Sequence, residues 1–362
     1  MTAIFNKLLC MLAAFVLAAA LQSCGSDSEP VPGGTGRSLL RLHVGLSSEG
    51  TRASEADKLP AGDGEKMQSL RAIIIGAGGF TEHNVKWDLS ADPDIVHTTK
   101  AFDVRSDETK TIVFVANEEG KTIVLPDGTK ADAEEYFSGI DAAAGEKVDV
   151  DELREIIFET ADNSTDGKTL DTPLAITAIH EYYIGDAPQY SASFYIHRAA
   201  VKYSYRFINK SATHDAVINS VSINNVASRQ YLFPDADFTD ATQLFWDAYR
   251  TPDASGSELE VPVNVAVKAG ETYNMPPVYL PEGHASTADA PYMTGFRIDG
   301  SFLGWQNLQW HIPENTADLT LMTDLPRNTH VIVNVAFNYL DFDISYTICP
   351  WVESEIKIPD FN

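Results

Sequence analysis

A mainly β fold, built from antiparallel sandwiches with a few short helices, is what this 362-residue sequence predicts. Short runs of β-branched and aromatic residues recur along the chain, many alternate with polar residues, and Gly, Asn, Asp or Pro bounds them. Helical periodicity is sparse. Several short strands with one wet face favour antiparallel sandwiches over a parallel sheet. No short-period repeat is visible, which argues against a solenoid or propeller.

In chain order, Leu40, Leu42, Val44 and Leu46 alternate with Arg41, His43 and Gly45, the pattern of a half-buried strand over 39–46. Ser47, Ser48, Glu49 and Gly50 break the pattern, and Thr51-Arg52-Ala53 follows without an apolar anchor. Further strands are expected over 70–75, 111–116, 192–196, 201–207, 217–223, 259–267, 293–298, 330–337, 342–348 and 352–358. Residues 132–140 and 148–159 have helical spacing with acidic starts, and 240–249 is expected to form a turn or two of helix. The polar, Asp/Gly-containing stretch near 181–190 reads as a seam between two domains.

Hydrophobic residues make up 44% and aromatics 10%, enough for a real core. The formal net charge is −26, and no basic stripe suited to phosphates is present, so nucleic acid is excluded as a partner. The beginning of the chain reads as an address. Lys7 precedes an apolar run from Leu8 to Leu21, too short to span a bilayer comfortably. Leu21-Gln22-Ser23-Cys24 resembles the bacterial lipobox, which implies a signal peptide over 1–23 and Cys24 as the lipid-bearing (palmitate) mature N-terminus. Gly25-Ser26-Asp27-Ser28-Glu29 looks like the acidic export tag of surface lipoproteins, and the Ser, Pro and Gly that follow form a flexible tether. With Cys10 lost and Cys24 acylated, only Cys349 remains, so the mature chain has no intramolecular disulfide.

"IIIGAGGFTEHN" (73–84) invites a dinucleotide-binding reading, but Thr81 stands at the third glycine position and no apolar helix opens there. A turn after a buried strand explains it better. The Gly-Lys-Thr triplets at 120–122 and 167–169 lack the earlier glycine of a phosphate loop. Asp162, Ser164 and Asp166, followed by Gly167, resemble half of a calcium loop. Pro173 stands where the closing Glu belongs, so a surface turn is favoured. The histidines are scattered without H-E-x-x-H spacing, zinc-type cysteines and a G-x-S-x-G elbow are absent, and Cys349 reads as a small core residue. No catalytic constellation, metal or cofactor is expected.

Beyond the lipobox and Thr51-Arg52-Ala53, "SFYIHRAAVKYSYRF" (193–207), "PVYLPEGH" (277–284), "LPRNTHVIVNVAF" (325–337) and "CPWVESEIKI" (349–358) complete a set. Together they resemble the fimbrillins, subunits of type V pili. That resemblance implies two transthyretin-like sandwich domains, over 53–187 and 188–362, preceded by a propeptide over 24–52. It implies export to the outer membrane as a lipoprotein, then trimming by an arginine-specific protease between Arg52 and Ala53. It also implies that the first strand (39–46) is discarded and that a C-terminal strand from another subunit fills its place in an extracellular fimbrium.

Elementary energetics agrees with such a swap. Burying Leu40, Leu42, Val44 and Leu46 contributes roughly 6–12 kcal/mol at about 1.5–3 kcal/mol each, comparable to the net stability of a domain. While tethered, the strand holds its slot; once cut it can dissociate, leaving a groove that favours another strand. In the tail, Val352, Ile356 and Ile358 share one face with Ser354, the alternation a donor strand needs. Removing 1–52 takes away four positive and three negative charges, leaving −27, so subunits repel at long range and need short-range burial to associate. Within the family an anchor or tip subunit is the alternative. From another class, a monomeric surface lipoprotein could bind glycans through Trp246, Trp305 and Trp310, although tryptophans are more often core residues.

Overall fold

The structure, a computed structural model, describes residues 36–46, 62–91, 97–141, 147–234, 252, 256–284, 292–299, 308–311, 324–338 and 342–351. They are mostly strand. The first unit contains β1 (Arg37–Leu46), β2 (Ser69–Ile75), β3 (Thr81–Asp88), β4 (His97–Arg105) and β5 (Glu108–Ala116). After these come β6 (Thr122–Val124), β7 (Lys130–Asp132), β8 (Ile157–Glu159), β9 (Ile176–Ile184) and β10 (Gln189–Arg198). The long strands join in the order β3-β2-β5-β9-β10-β1-β4. At the β9–β10 step only Ile176 and Thr177 pair with Arg198 and His197, so the path turns a corner there. The layer β10-β1-β4 thereby packs over β3-β2-β5-β9, and apolar residues from both fill one core.

Strand β2 is buried at every position. Leu70, Ala72 and Ile74 enter the sandwich core, while Ile73 and Ile75 enter a second core on the opposite face. Two-sided burial explains why its sequence is a continuous apolar run rather than an alternation. The outer core is covered partly by α1 (Ala133–Ser138) and α2 (Val150–Arg154). Asp132 caps α1 by accepting from the Glu135 N–H at 2.9 Å, and Ala133 and Phe137, one helical turn apart, face inward. Asp149 caps α2 in the same manner. The helix expected over 148–159 ends at Arg154: Ile156 and Phe158 turn into the outer core, and 157–159 become β8, paired with β6 and β13 (Arg229–Tyr231). Core burial has overridden a local helical preference.

The second unit adds β11 (Val201–Asn209), β12 (Ala216–Val226), β14 (Ser257–Val267), β15 (Thr272–Asn274), β16 (Val278–Leu280) and β17 (Gly283–His284). It continues through β18 (Met293–Asp299), β19 (Leu308–His311), β20 (Asp324–Leu325), β21 (Thr329–Phe337) and β22 (Phe342–Pro350). One sheet runs β15-β11-β21-β22, with β16 also on β11, and the other β14-β12-β18-β19. Val201, Tyr203, Tyr205 and Phe207 alternate along β11 and all enter the core between these sheets. On β12 a register shift between Ile218 and Ser220 changes the phase, so that Ala216 and Ile218, then Val221 and Ile223, face the same core.

The expected boundary at 187/188 meets the chain just before β10, whose partners β1 and β9 lie in the first unit. Ala199 and Ala200 then lead into β11. The units share the outer core: Ala199, Ala200, Leu232, Phe233 and Trp351 pack with Ile73, Val113 and Phe137.

Candidate functional site

Strand β1 lies in the middle of its layer. Leu39–Leu46 run parallel to Gln189–Ile196 of β10, and Arg37–Gly45 run antiparallel to Arg105–His97 of β4. Leu40, Leu42, Val44 and Leu46 are 0%, 0%, 1% and 3% exposed and sit in the sandwich core beside Phe102, Phe114, Phe194 and Ile196. The outer face is polar and ties to both flanking strands. His43 hydrogen-bonds with the Thr99 hydroxyl on β4 and the Ser191 hydroxyl on β10, each at 2.9 Å. Arg37 donates to the Asp103 carboxylate at 2.7 Å, and on the inward face the buried Ser38 donates to the Ala187 carbonyl, just before β10, at 2.6 Å.

This placement defines what removal of β1 would do. Two strands would lose their common partner at once, opening a slot whose floor is the sandwich core and whose walls are the backbone edges of β10 and β4. An unpaired edge over an apolar floor is a template for another strand. The order β10-β1-β4 was not legible beforehand, because β4 (HTTKAFDVR) carries only two buried residues, Phe102 and Val104.

The other singled-out residues are dispersed. Asp162 accepts from Lys130 Nζ at 2.6 Å, whereas Ser164 donates to Asp166 at 2.6 Å, and Asp166 also accepts from the backbone N–H groups of Lys168 and Thr169. These bonds hold Asp166 at about 2, despite burial acting in the opposite direction. They close an Asp-based surface turn, and among the described residues no cluster of His, Cys, Asp or Glu could hold a metal ion. Gly76 lies in a turn, where its N–H donates to the Phe80 carbonyl at 3.0 Å. A Cβ at Gly76 would stand 2.7 Å from Glu108 Oε1 and 3.0 Å from Glu82 Oε1, the two carboxylates gathered on buried Lys110. The glycine makes room for a buried ion triad. Cys24, Arg52, Ala53, Val352, Ile356, Ile358, Trp246 and Trp305, and the helix expected over 240–249, lie outside the described residues; Trp310 falls on β19.

Sequence reasoning missed a second constellation, at the junction of the units. Glu65, in a single 3-10 turn (Asp63–Glu65), is 1% exposed. Its carboxylate accepts from Lys202 Nζ at 2.7 Å, from Trp351 Nε1 at 3.0 Å and from the Tyr279 hydroxyl. Burial, and then the Glu65 charge, keep Tyr279 protonated far above the usual phenol range. Arg198 Nε donates to the Glu65 carbonyl at 2.7 Å. Beside this group, His330 hydrogen-bonds with the Ser204 hydroxyl at 2.8 Å. Burial, aided by the positive charges of Lys202 and Arg198, pushes His330 down to about 3. Burial likewise holds His197 neutral, well below the usual histidine range. Arg327, equally buried, pairs with Glu282 and donates to the Leu232 carbonyl at 2.8 Å, fixing the segment that carries Phe233 into the outer core. No sequence signal marks a charge that is to be buried; only the partners brought by the fold reveal it.

Two sandwiches, the first with β1 inside one of its layers, are the architecture that solved structures share. The chain is similar to a candidate cell adhesion protein from Parabacteroides distasonis ATCC 8503, with a TM-score of 0.56 and 13% identity, covering 87% of this chain and 98% of that one. It is similar to the tip fimbrial protein Mfa3 from Porphyromonas gingivalis with C-terminal truncation, with a TM-score of 0.55 and 10% identity, covering 87% and 100%. No family model matches the sequence, and no curated protein matches it. At 10–13% identity the likeness is one of fold, shared with these cell adhesion and tip fimbrial proteins.

Proposed function

We propose that this chain is a structural, non-enzymatic subunit of a type V fimbria that supports adhesion, carried to the outer membrane as a lipoprotein on Cys24. An arginine-specific protease cuts between Arg52 and Ala53, β1 leaves, and the C-terminal strand of another subunit, with Val352, Ile356 and Ile358 facing inward, occupies the slot. The product is an extracellular homopolymer. The observation that supports this reading most is the position of β1: fully paired on both edges, buried on one face, and followed within a few residues by Arg52. Such a strand keeps the uncut subunit capped, and the cut converts a high local concentration of β1 into free dissociation.

Digestion with an Arg-specific protease tests the reading. An early cut near residue 52 is expected, followed by detergent-resistant ladders that heat dissolves. Arg52→Ala should remain an uncut monomer; ladders formed by that variant to the wild-type extent would overturn the switch. A stable monomer with saturable sugar binding would instead favour a glycan-binding surface lipoprotein.

A further inference from the structure

Residues 352–362 continue directly from Trp351, and Trp351 is held more completely than the last residue of an ordinary edge strand needs to be. It is 1% exposed, just past the end of β22. Its indole N–H donates to Glu65, and its ring stacks on Tyr279 with centroids 5.7 Å apart and planes 5° from parallel. Arg198 and Lys202 lie 4.8 and 5.2 Å from the ring centroid, within cation–π range. Its backbone N–H donates to the Asn328 carbonyl at 2.8 Å. Glu65 is contributed by the first unit, Arg198 by the last residue of β10, and Tyr279, Lys202 and Asn328 by the second unit. The ring is thus gripped from both units by one shared carboxylate.

We infer that Trp351 and Glu65 form a clamp that fixes the base of the 352–362 segment to the junction of the two sandwiches, making Trp351 a positioning residue for strand donation. The inference rests on the fibre reading. A donor strand rooted in a rigid body loses less orientational freedom on entering a slot than one hanging from a frayed edge strand. Pull along a fibre would also reach both sandwiches through the clamp instead of peeling β22 from β21. Because the clamp acts on giving a strand and not on receiving one, it predicts an asymmetry that simple destabilisation would not produce.

The test separates these two abilities in protein cut after Arg52. Accepting is read from binding of a fluorescent peptide of residues 352–362; donating is read from transfer onto a cut acceptor that ends at Trp351. Trp351→Ala should bind the peptide as the wild type does but donate on the order of 10-fold more slowly. Trp351→Phe keeps an aromatic ring against Tyr279 and loses the bond to Glu65, so it should donate at an intermediate rate, and it decides the matter if the alanine variant does not fold. Donation at the wild-type rate by either folded variant, or equal loss of giving and receiving, overturns the clamp. Failure of cut wild-type protein to bind the peptide or to transfer its strand overturns the fibre reading and the clamp with it.

Discussion

Leu42 sits at the centre of β1 with no exposure and core neighbours from both layers. Truncating it leaves a cavity that a two-sided β layer collapses poorly, so Leu42→Ala in the uncut chain should cost about 2–5 kcal/mol, read from the denaturant midpoint. A loss below about 0.5 kcal/mol would mean that β1 is loosely held, as for a surface position. Opposite it, Arg41 is exposed and should tolerate substitution within about 0.5 kcal/mol. The alternation Leu-Arg-Leu-His-Val carried this in–out assignment already at the level of sequence. Gly76 shows the limit of such reading: "IIIGAGG" reads as a turn, but the reason for glycine is the carboxylate pair over Lys110, contributed by residues 82 and 108.

At the scale of elements, β1 is paired on both edges, and the proposed function makes it a part that leaves. A chain beginning at Ala53 should show its apolar floor through increased fluorescence of a hydrophobic dye, and a synthetic peptide of residues 37–46 should reverse the increase. If dye binding is the same with and without residues 37–46, the remaining strands have closed the gap and no slot exists. Most long strands were readable because their apolar residues face one core at period two or run continuously through two cores. The polar β4 was not, since an outer edge strand buries little. Nor was the end of α2, where Val148 to Glu159 has helical spacing but Phe158 is drawn into the outer core.

The whole molecule is held at its junction by buried charges and neutral histidines. For His330 and His197 the folded state disfavours the proton, so the unfolded state binds more protons as pH falls. Their contribution is fully present above the unfolded value near 6.5 and is lost progressively below it, down to about 3 for His330. At pH 5 the His330 share of that loss is about 2 kcal/mol. Thermal unfolding followed from pH 7 to pH 4 should show a falling midpoint, and His330→Gln should flatten the slope. An unchanged slope in that variant would show that the histidine titrates normally.

Taken alone, the sequence determined the class of fold, the one-sided burial of the first strand, and the absence of a recognisable catalytic motif, because these follow from local period and composition. The lipobox-like Leu21-Gln22-Ser23-Cys24 and the Thr51-Arg52-Ala53 at which cleavage is proposed are linear stretches, readable without the fold. Only the tertiary structure decided that β1 lies between β10 and β4, that β10 stays with the first sandwich, and that Glu65, Lys202, Arg198, Tyr279 and Trp351 meet at one point. Pairing order and the burial of charge depend on partners distant in sequence, 66 residues apart for Arg37 and Asp103 and 286 for Glu65 and Trp351, and no window of sequence holds both halves of such a contact.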